Sequence, residues 1–131
     1  MKVNWMLVGA LFGALAVAMG AFGAHGLKAQ NPGPEALDWW KTAAQYHLLH
    51  APVLMIFGLF LDLHPKGAHA SQAPGFCLLI GAAIFSGTLY AMALGAPSIL
   101  GAVTPIGGVL LVAGWSLFAW QARSVAVEST L

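Results

Sequence analysis

The chain alternates between four long apolar runs and three short polar connections. The runs extend from about Trp5 to Ala24, Trp39 to Leu63, Pro74 to Leu94 and Ile99 to Trp120. Each is long enough, as a helix, to cross a hydrocarbon core about 30 Å thick. The first, third and fourth hold no charged residue, and the second carries Lys41 and Asp62 only toward its ends. Hydrocarbon offers no water to the peptide groups, so each segment must satisfy its own backbone, which a helix does. A β-barrel would need strict alternation of apolar and polar positions, and that alternation is absent. The pattern predicts a single domain, residues 1–131: an all-α integral membrane four-helix bundle whose short connections make successive helices antiparallel neighbours.

The connections refine this picture. The first, Gly26 to Asp38, holds Pro32, Gly33 and Pro34, then Glu35 and Asp38, and reads as a polar loop leading to a helix start that favours negative charge. The second, His64 to Ala73, carries Pro65, Gly67, Ser71 and Gln72, and the third, Gly95 to Ser98, is a tight apolar hairpin. Two starts suit the fourth run. A helix from near Ser98 would be kinked at Pro105 and Gly107-Gly108; a helix capped by Thr104 with Pro105 in its first turn would leave about 17 residues to span and make Ile99 to Val103 a re-entrant or interfacial piece. Pro52 interrupts the ladder of the second run at the Leu48 carbonyl and predicts a local bend near His50. Met1-Lys2 before an apolar run resembles a secretory signal, but a run of about 20 residues fits a retained span better than a signal core of about 7 to 15.

Composition agrees with a bilayer: 60% of residues are hydrophobic and 7% charged, against about 25% charged in soluble domains. Five Lys and Arg against four Asp and Glu leave a net charge of +1, which gives no electrostatic footprint for nucleic acid. The single cysteine, Cys77, builds neither a disulfide framework nor a multi-thiolate site within one chain. Lys2, Lys66 and Arg123 fall on one side of a four-span hairpin and Lys28 and Lys41 on the other, so the balance places both termini in the cytoplasm. Trp5, Trp39, Trp40 and Trp120 stand near run ends and read as interfacial anchors.

Small residues mark where helices approach. Gly9 and Gly13 lie four apart in the first run, Gly87, Ala91 and Gly95 repeat the spacing in the third, and Gly107 and Gly114 share a face in the fourth. Packing inside the bundle is the simpler reading, with self-association through Gly9 and Gly13 as the alternative.

His47 and His50 are the imidazoles set well inside a run, and a polar ring in hydrocarbon requires a partner. With His25, Tyr46, Ser86 and Tyr90 they form a candidate polar cluster, to which Gln45 and Thr88 add an amide and a hydroxyl. The main expectation is a hydrogen-bonded lock, each bond worth about 0.6 kcal/mol. Metal or bis-histidine haem ligation would have to pair His25 with His47 or His50, and a proton or small-solute pathway would use the same cluster in an oligomer. Asp62 belongs at the interface, and His64 and His69 read as solvated loop residues. No HExxH, glycine-rich phosphate loop or Ser/Cys-His-carboxylate spacing appears, so neither an enzyme nor a bound cofactor is expected.

Four stretches, in order, carry a family resemblance. They are Gly20-Ala21-Phe22-Gly23-Ala24-His25-Gly26-Leu27, then Thr42-Ala43-Ala44-Gln45-Tyr46 leading to His50-Ala51, then Phe85-Ser86-Gly87-Thr88-Leu89-Tyr90, and Thr104-Pro105-Ile106-Gly107-Gly108 with Gly114-Trp115. Across nearly its whole length the chain resembles the YgdD-like family of small four-span bacterial inner-membrane proteins, grouped as a domain of unknown function. The resemblance implies a fold and a bacterial inner-membrane location, not a reaction. Within it, His25 and His50 fall on motif positions, whereas His47 stands where glutamine is usual and Pro52 where an aliphatic residue is usual. The unit it suggests is His25 with His50 and Tyr46, locking the first segment to the second. The expected role is a structural or accessory component of a larger membrane assembly, in contact with membrane lipid; the alternative is a conducting homo-oligomer.

Overall fold

A computed structural model describes residues 2–66 and 70–130. Helix α1 covers Trp5–Phe22 and continues through a π turn, Gly23–Leu27; α2 covers Pro34–Leu63, α3 Ala73–Ala93 and α4 Thr104–Glu128, with a short 3-10 turn at Ser98–Ala102. All four are long and apolar enough to cross a membrane, and there is no strand among the described residues.

Local chemistry sets the boundaries. The Asn4 side chain accepts from the Leu7 amide at 3.0 Å and caps α1. Pro34 opens α2, where its missing N–H costs nothing, and Glu35 follows in the first turn. The first connection is therefore shorter than Gly26 to Asp38: α1 persists beyond Ala24 and α2 begins before Trp39, leaving residues 30–33 outside helix. Hydropathy marks where a helix leaves hydrocarbon, and these two helices continue past that point. At the third connection Gly95 has φ of +98°, the Ala96 amide bonds the Ala91 carbonyl, and the Gly95 amide bonds that of Met92. This closure of α3 needs a left-handed residue, which glycine supplies.

Of the two starts considered for the fourth helix, the structure has the one at Thr104-Pro105. The helix is not short, however, because it runs past Trp120 to Glu128. α2 is helical without interruption across Pro52, so the expected bend involves no break.

The α2–α3 pair forms the centre, with α1 packed on α2 and α4 on α3, and without substantial contact between α1 and α4. Lys2 at the start of α1 pairs with Asp62 near the end of α2 at 2.5 Å, and Gln121 of α4 donates to the Ser71 carbonyl before α3 at 2.9 Å. These contacts gather alternate helix ends on one side, the antiparallel arrangement. Two apolar clusters fill the interior: one around Trp5, Leu54, Phe57, Leu61, Leu78 and Leu111, the other around Leu27, Trp40, Ala43, Leu89 and Tyr90.

Glycines govern the closest approaches. A Cβ at Gly9 would lie 2.7 Å from the Ala51 carbonyl oxygen, and one at Gly13 would lie 3.3 Å from the Ala51 Cβ. That pair is turned onto α2, so it does not provide the self-association face. Gly107 faces the Phe85 amide and the Gly81 carbonyl, and Gly114 packs on Leu78, so both seat α4 on α3. Gly87 and Gly95 do not pack as the spacing suggested, since a Cβ at either meets nothing within 4 Å, and Ala91 is only half-buried. The α3 partner of Gly107 is Gly81, on a different face from the Gly87 row.

Two of the four tryptophans read as anchors lie in the core instead. Trp5 is 1% exposed, packed edge-on against Phe57 and Phe76, with its indole N–H 3.3 Å from Gln72 Oε1. Trp40 is also buried and donates to the Met19 carbonyl at 2.8 Å. Near a helix end an indole can point inward as well as toward headgroups. Trp39 is half-buried, and Trp120 is exposed as an anchor would be.

Gly107→Val should destabilise the bundle by about 1–3 kcal/mol, because backbone on α3 must move to admit the side chain. Gly87→Ala should be neutral or stabilising by up to about 1 kcal/mol. Thermal unfolding of both variants in nanodiscs checks the pair, and equal losses would contradict the assigned packing.

Candidate functional site

The polar residues of the interior form a belt between the two apolar clusters. His47 lies about 20 Å along α2 from Pro34 and His50 about 20 Å from Leu63, so both fall near the middle of the helix. Their exposures are 3% and 2%. They stand three positions apart on the helix, and they turn to different neighbours.

His50 faces α4. Its Nδ1 is 2.6 Å from the Tyr46 carbonyl and its Nε2 is 3.1 Å from Trp115 Nε1. A carbonyl only accepts and an indole N–H only donates, so Nδ1 carries the proton and Nε2 the lone pair. The imidazole is thus a neutral ring with both nitrogens engaged. His47 faces α1 and α3: its Nδ1 is 3.1 Å from the Tyr90 hydroxyl, the Phe12 ring centroid is 4.2 Å from its own, and its Nε2 is without a hydrogen-bond partner among the described residues.

Ser86 and Thr88 complete the belt. Ser86 Oγ donates to the Ala43 carbonyl at 2.8 Å, tying α3 to α2 one turn above His47. The Thr88 hydroxyl lies 2.7 Å from that of Thr104, tying α3 to the start of α4. Tyr46 enters through its carbonyl and through its ring, which stacks on His50 and lies 4.4 Å from Phe85; the residue is 40% exposed. Gln45 is exposed and stays outside the belt.

His25 is not part of this group. It sits exposed on the π turn, and its side chain makes no hydrogen bond among the described residues. The π turn changes the phase of the helix, so that Leu27 is buried and Gly23 abuts the Trp40 ring while His25 faces outward. The expected unit of His25, His50 and Tyr46 therefore does not assemble, and the polar lock joins α2 to α3 and α4 rather than α1 to α2. The polar tie of α1 to α2 at this end is the Trp40 bond to Met19.

The same geometry bears on ligation. His25 is separated from the buried pair by its orientation, and no three His, Cys, Asp or Glu side chains gather among the described residues. His64 Nδ1 lies 3.0 Å from the Phe60 carbonyl on its own helix, and His69 lies outside the described residues. Asp62 is engaged with Lys2.

Sequence reasoning missed Trp115 and Phe12 as members of the site. A signal existed for Trp115, the tryptophan farthest from either end of its run, because an indole N–H at that depth needs an acceptor. Two grooves flank the belt: one of about 810 Å³ between α2 and α4, floored by His50, Phe85 and Trp115, and one of about 220 Å³ between α1 and α3, which includes His47, Gly87 and Tyr90.

The His50 assignment predicts a nitrogen-15 spectrum with a protonated Nδ1 and a bare Nε2, and the reverse tautomer would contradict it. Trp115→Phe should cost about 0.6 kcal/mol, and at most about 1.7, in nanodisc unfolding.

A family model described as "Protein of unknown function (DUF423)" matches residues 19–108, which take in the π turn, α2, α3 and the start of α4. His47, His50, Ser86 and Tyr90 lie within that stretch and Trp115 beyond it. The UPF0382 membrane protein YwdK of Bacillus subtilis (strain 168) is 40% identical over 115 residues, covering 88% of this chain and 91% of its own length. The UPF0382 membrane protein C1782.12c of Schizosaccharomyces pombe is 38% identical over 114 residues, covering 83% and 92%. A UPF0382 membrane protein of Haemophilus influenzae is 37% identical over 120 residues, covering 92% and 94%. No solved structure matches the chain.

Proposed function

The chain belongs to the DUF423 family of membrane proteins, which has no assigned activity, and from that premise we propose that it acts without enzymatic turnover, as a small structural or accessory component of a larger membrane assembly. The family descriptions indicate no enzymatic activity. The observation that carries the reading is the use of the belt's reactive groups as interhelical links. Ser86 donates to a backbone carbonyl rather than to an imidazole, and both nitrogens of His50 are engaged. A nucleophile needs a base within hydrogen-bond reach, and neither group retains that freedom.

The apolar clusters on either side of the belt weigh against the conducting alternative, because a proton or solute would need polar groups above and below it. We place the protein in the bacterial inner membrane with both termini in the cytoplasm, on the balance of Lys2, Lys66 and Arg123 against Lys28 and Lys41.

Extraction into copolymer discs followed by native mass spectrometry should find the chain in a heteromeric assembly. A discrete homo-oligomer with no second protein would count against the accessory role. A C-terminal reporter active only outside the cytoplasm should stay silent, and activity would reverse the orientation.

A further inference from the structure

His47 is the member of the belt whose bonding is incomplete. It is 3% exposed, yet its Nε2 has no hydrogen-bond partner among the described residues, a costly condition in a medium without water. The Phe12 carbonyl of α1 stands near the ring but receives no hydrogen bond of ordinary geometry from Nε2.

The polarity of the open position follows from Tyr90. The Tyr90 hydroxyl has His47 Nδ1 as its partner at 3.1 Å and no other among the described residues. Were Nδ1 to donate, the hydroxyl hydrogen would be left without an acceptor and Nε2 without a donor. With the hydroxyl donating to Nδ1, the one unmet group is an N–H at Nε2. The belt is therefore short of a hydrogen-bond acceptor.

His47 lines the groove of about 220 Å³ between α1 and α3, together with Phe12, Leu15, Met19, Gly87 and Tyr90. Gly87 leaves one wall open, since a Cβ there meets nothing within 4 Å. The Phe12 ring centroid stands 4.2 Å from that of the imidazole and Nε2 is itself buried, so a ligand reaches Nε2 only where the Phe12 ring turns aside. Depth narrows the ligand class. α2 is about 45 Å long against a core about 30 Å thick, which puts His47 near mid-membrane, below the reach of phospholipid ester carbonyls at the interface.

We propose that this groove binds a hydrocarbon-soluble molecule bearing a carbonyl, such as a long-chain ketone or a quinone, which enters from the bilayer and accepts a hydrogen bond from His47 Nε2. The site goes beyond the accessory role and does not depend on it.

The test uses the full chain in phosphatidylcholine nanodiscs, with 2-undecanone as probe and undecane as the control that lacks the carbonyl. The nitrogen-15 resonance of His47 Nε2 should shift saturably with the ketone and stay in place with the alkane. Gly87→Leu should weaken ketone binding at least tenfold without lowering the thermal midpoint, and His47→Phe should abolish the ketone's advantage over the alkane in competition for the groove. An equal response to both compounds, a shift that does not saturate, or full affinity in Gly87→Leu would overturn the proposal. So would a photoreactive residue at position 87 that cross-links to a second protein and leaves no room for the ketone.

Discussion

A hydroxyl, imidazole or indole at mid-membrane has no water to bond, and the contacts of α2 with α3 and α4 depend on that constraint. Ser86 and His50 meet it by adding hydrogen bonds to backbone carbonyls already used within α2, those of Ala43 and Tyr46. A carbonyl has two lone pairs, so the helical ladder survives. For Ser86 to reach Ala43 across the interface, the helices must lie close, and Ala43 and Ala82 are fully buried there. Polar bonding and small side chains thus require each other: without the alanines the hydroxyl falls short, and without the hydroxyl the close approach has less to fix its register.

Magnitudes separate the two roles. At about 0.6 kcal/mol per interhelical bond in a membrane, the belt contributes less than the dispersion contacts of the apolar clusters. What the belt supplies is discrimination. Sliding α3 along α2 by one turn would keep much of the apolar contact, and Ser86 would meet another backbone carbonyl, but Tyr90 would be parted from the His47 ring and stranded in hydrocarbon. The glycine contacts act similarly on α4, where Gly107 accepts only the backbone of α3 beside it.

Class and span number were legible because they follow from the lengths of the apolar runs and from the scarcity of charge. The helix ends were less so, for hydropathy records the hydrocarbon boundary, whereas Pro34, the positive φ of Asn31 (+52°) and the π turn decide where the backbone turns. Burial of His47 and His50 was legible from their depth, but their partners were not. Partner choice depends on rotation about each helix axis, and the π turn alters that rotation for His25 without any apolar signature. Spacing also misassigned α3, since Gly81 and Gly87 both suit a small-residue row and only Gly81 meets another backbone. The Trp5 and Trp40 anchors failed for a related reason: proximity to a helix end says how deep an indole lies, not which way it faces.

The contrast between the two buried histidines follows from the placement of α4. That helix packs mainly on α3 and leaves a wide groove against α2, across which Trp115 reaches His50. The indole closes the His50 site with the donor it lacked. On the opposite side α1 brings Phe12 against His47, a residue whose ring offers an N–H no acceptor stronger than a π face. One imidazole is completed by its own chain and the other is not, although both lie at the same depth of the same helix. The difference lies in the flanking helices, and it assigns His50 to holding the bundle together while leaving His47 with a donor directed to something outside it.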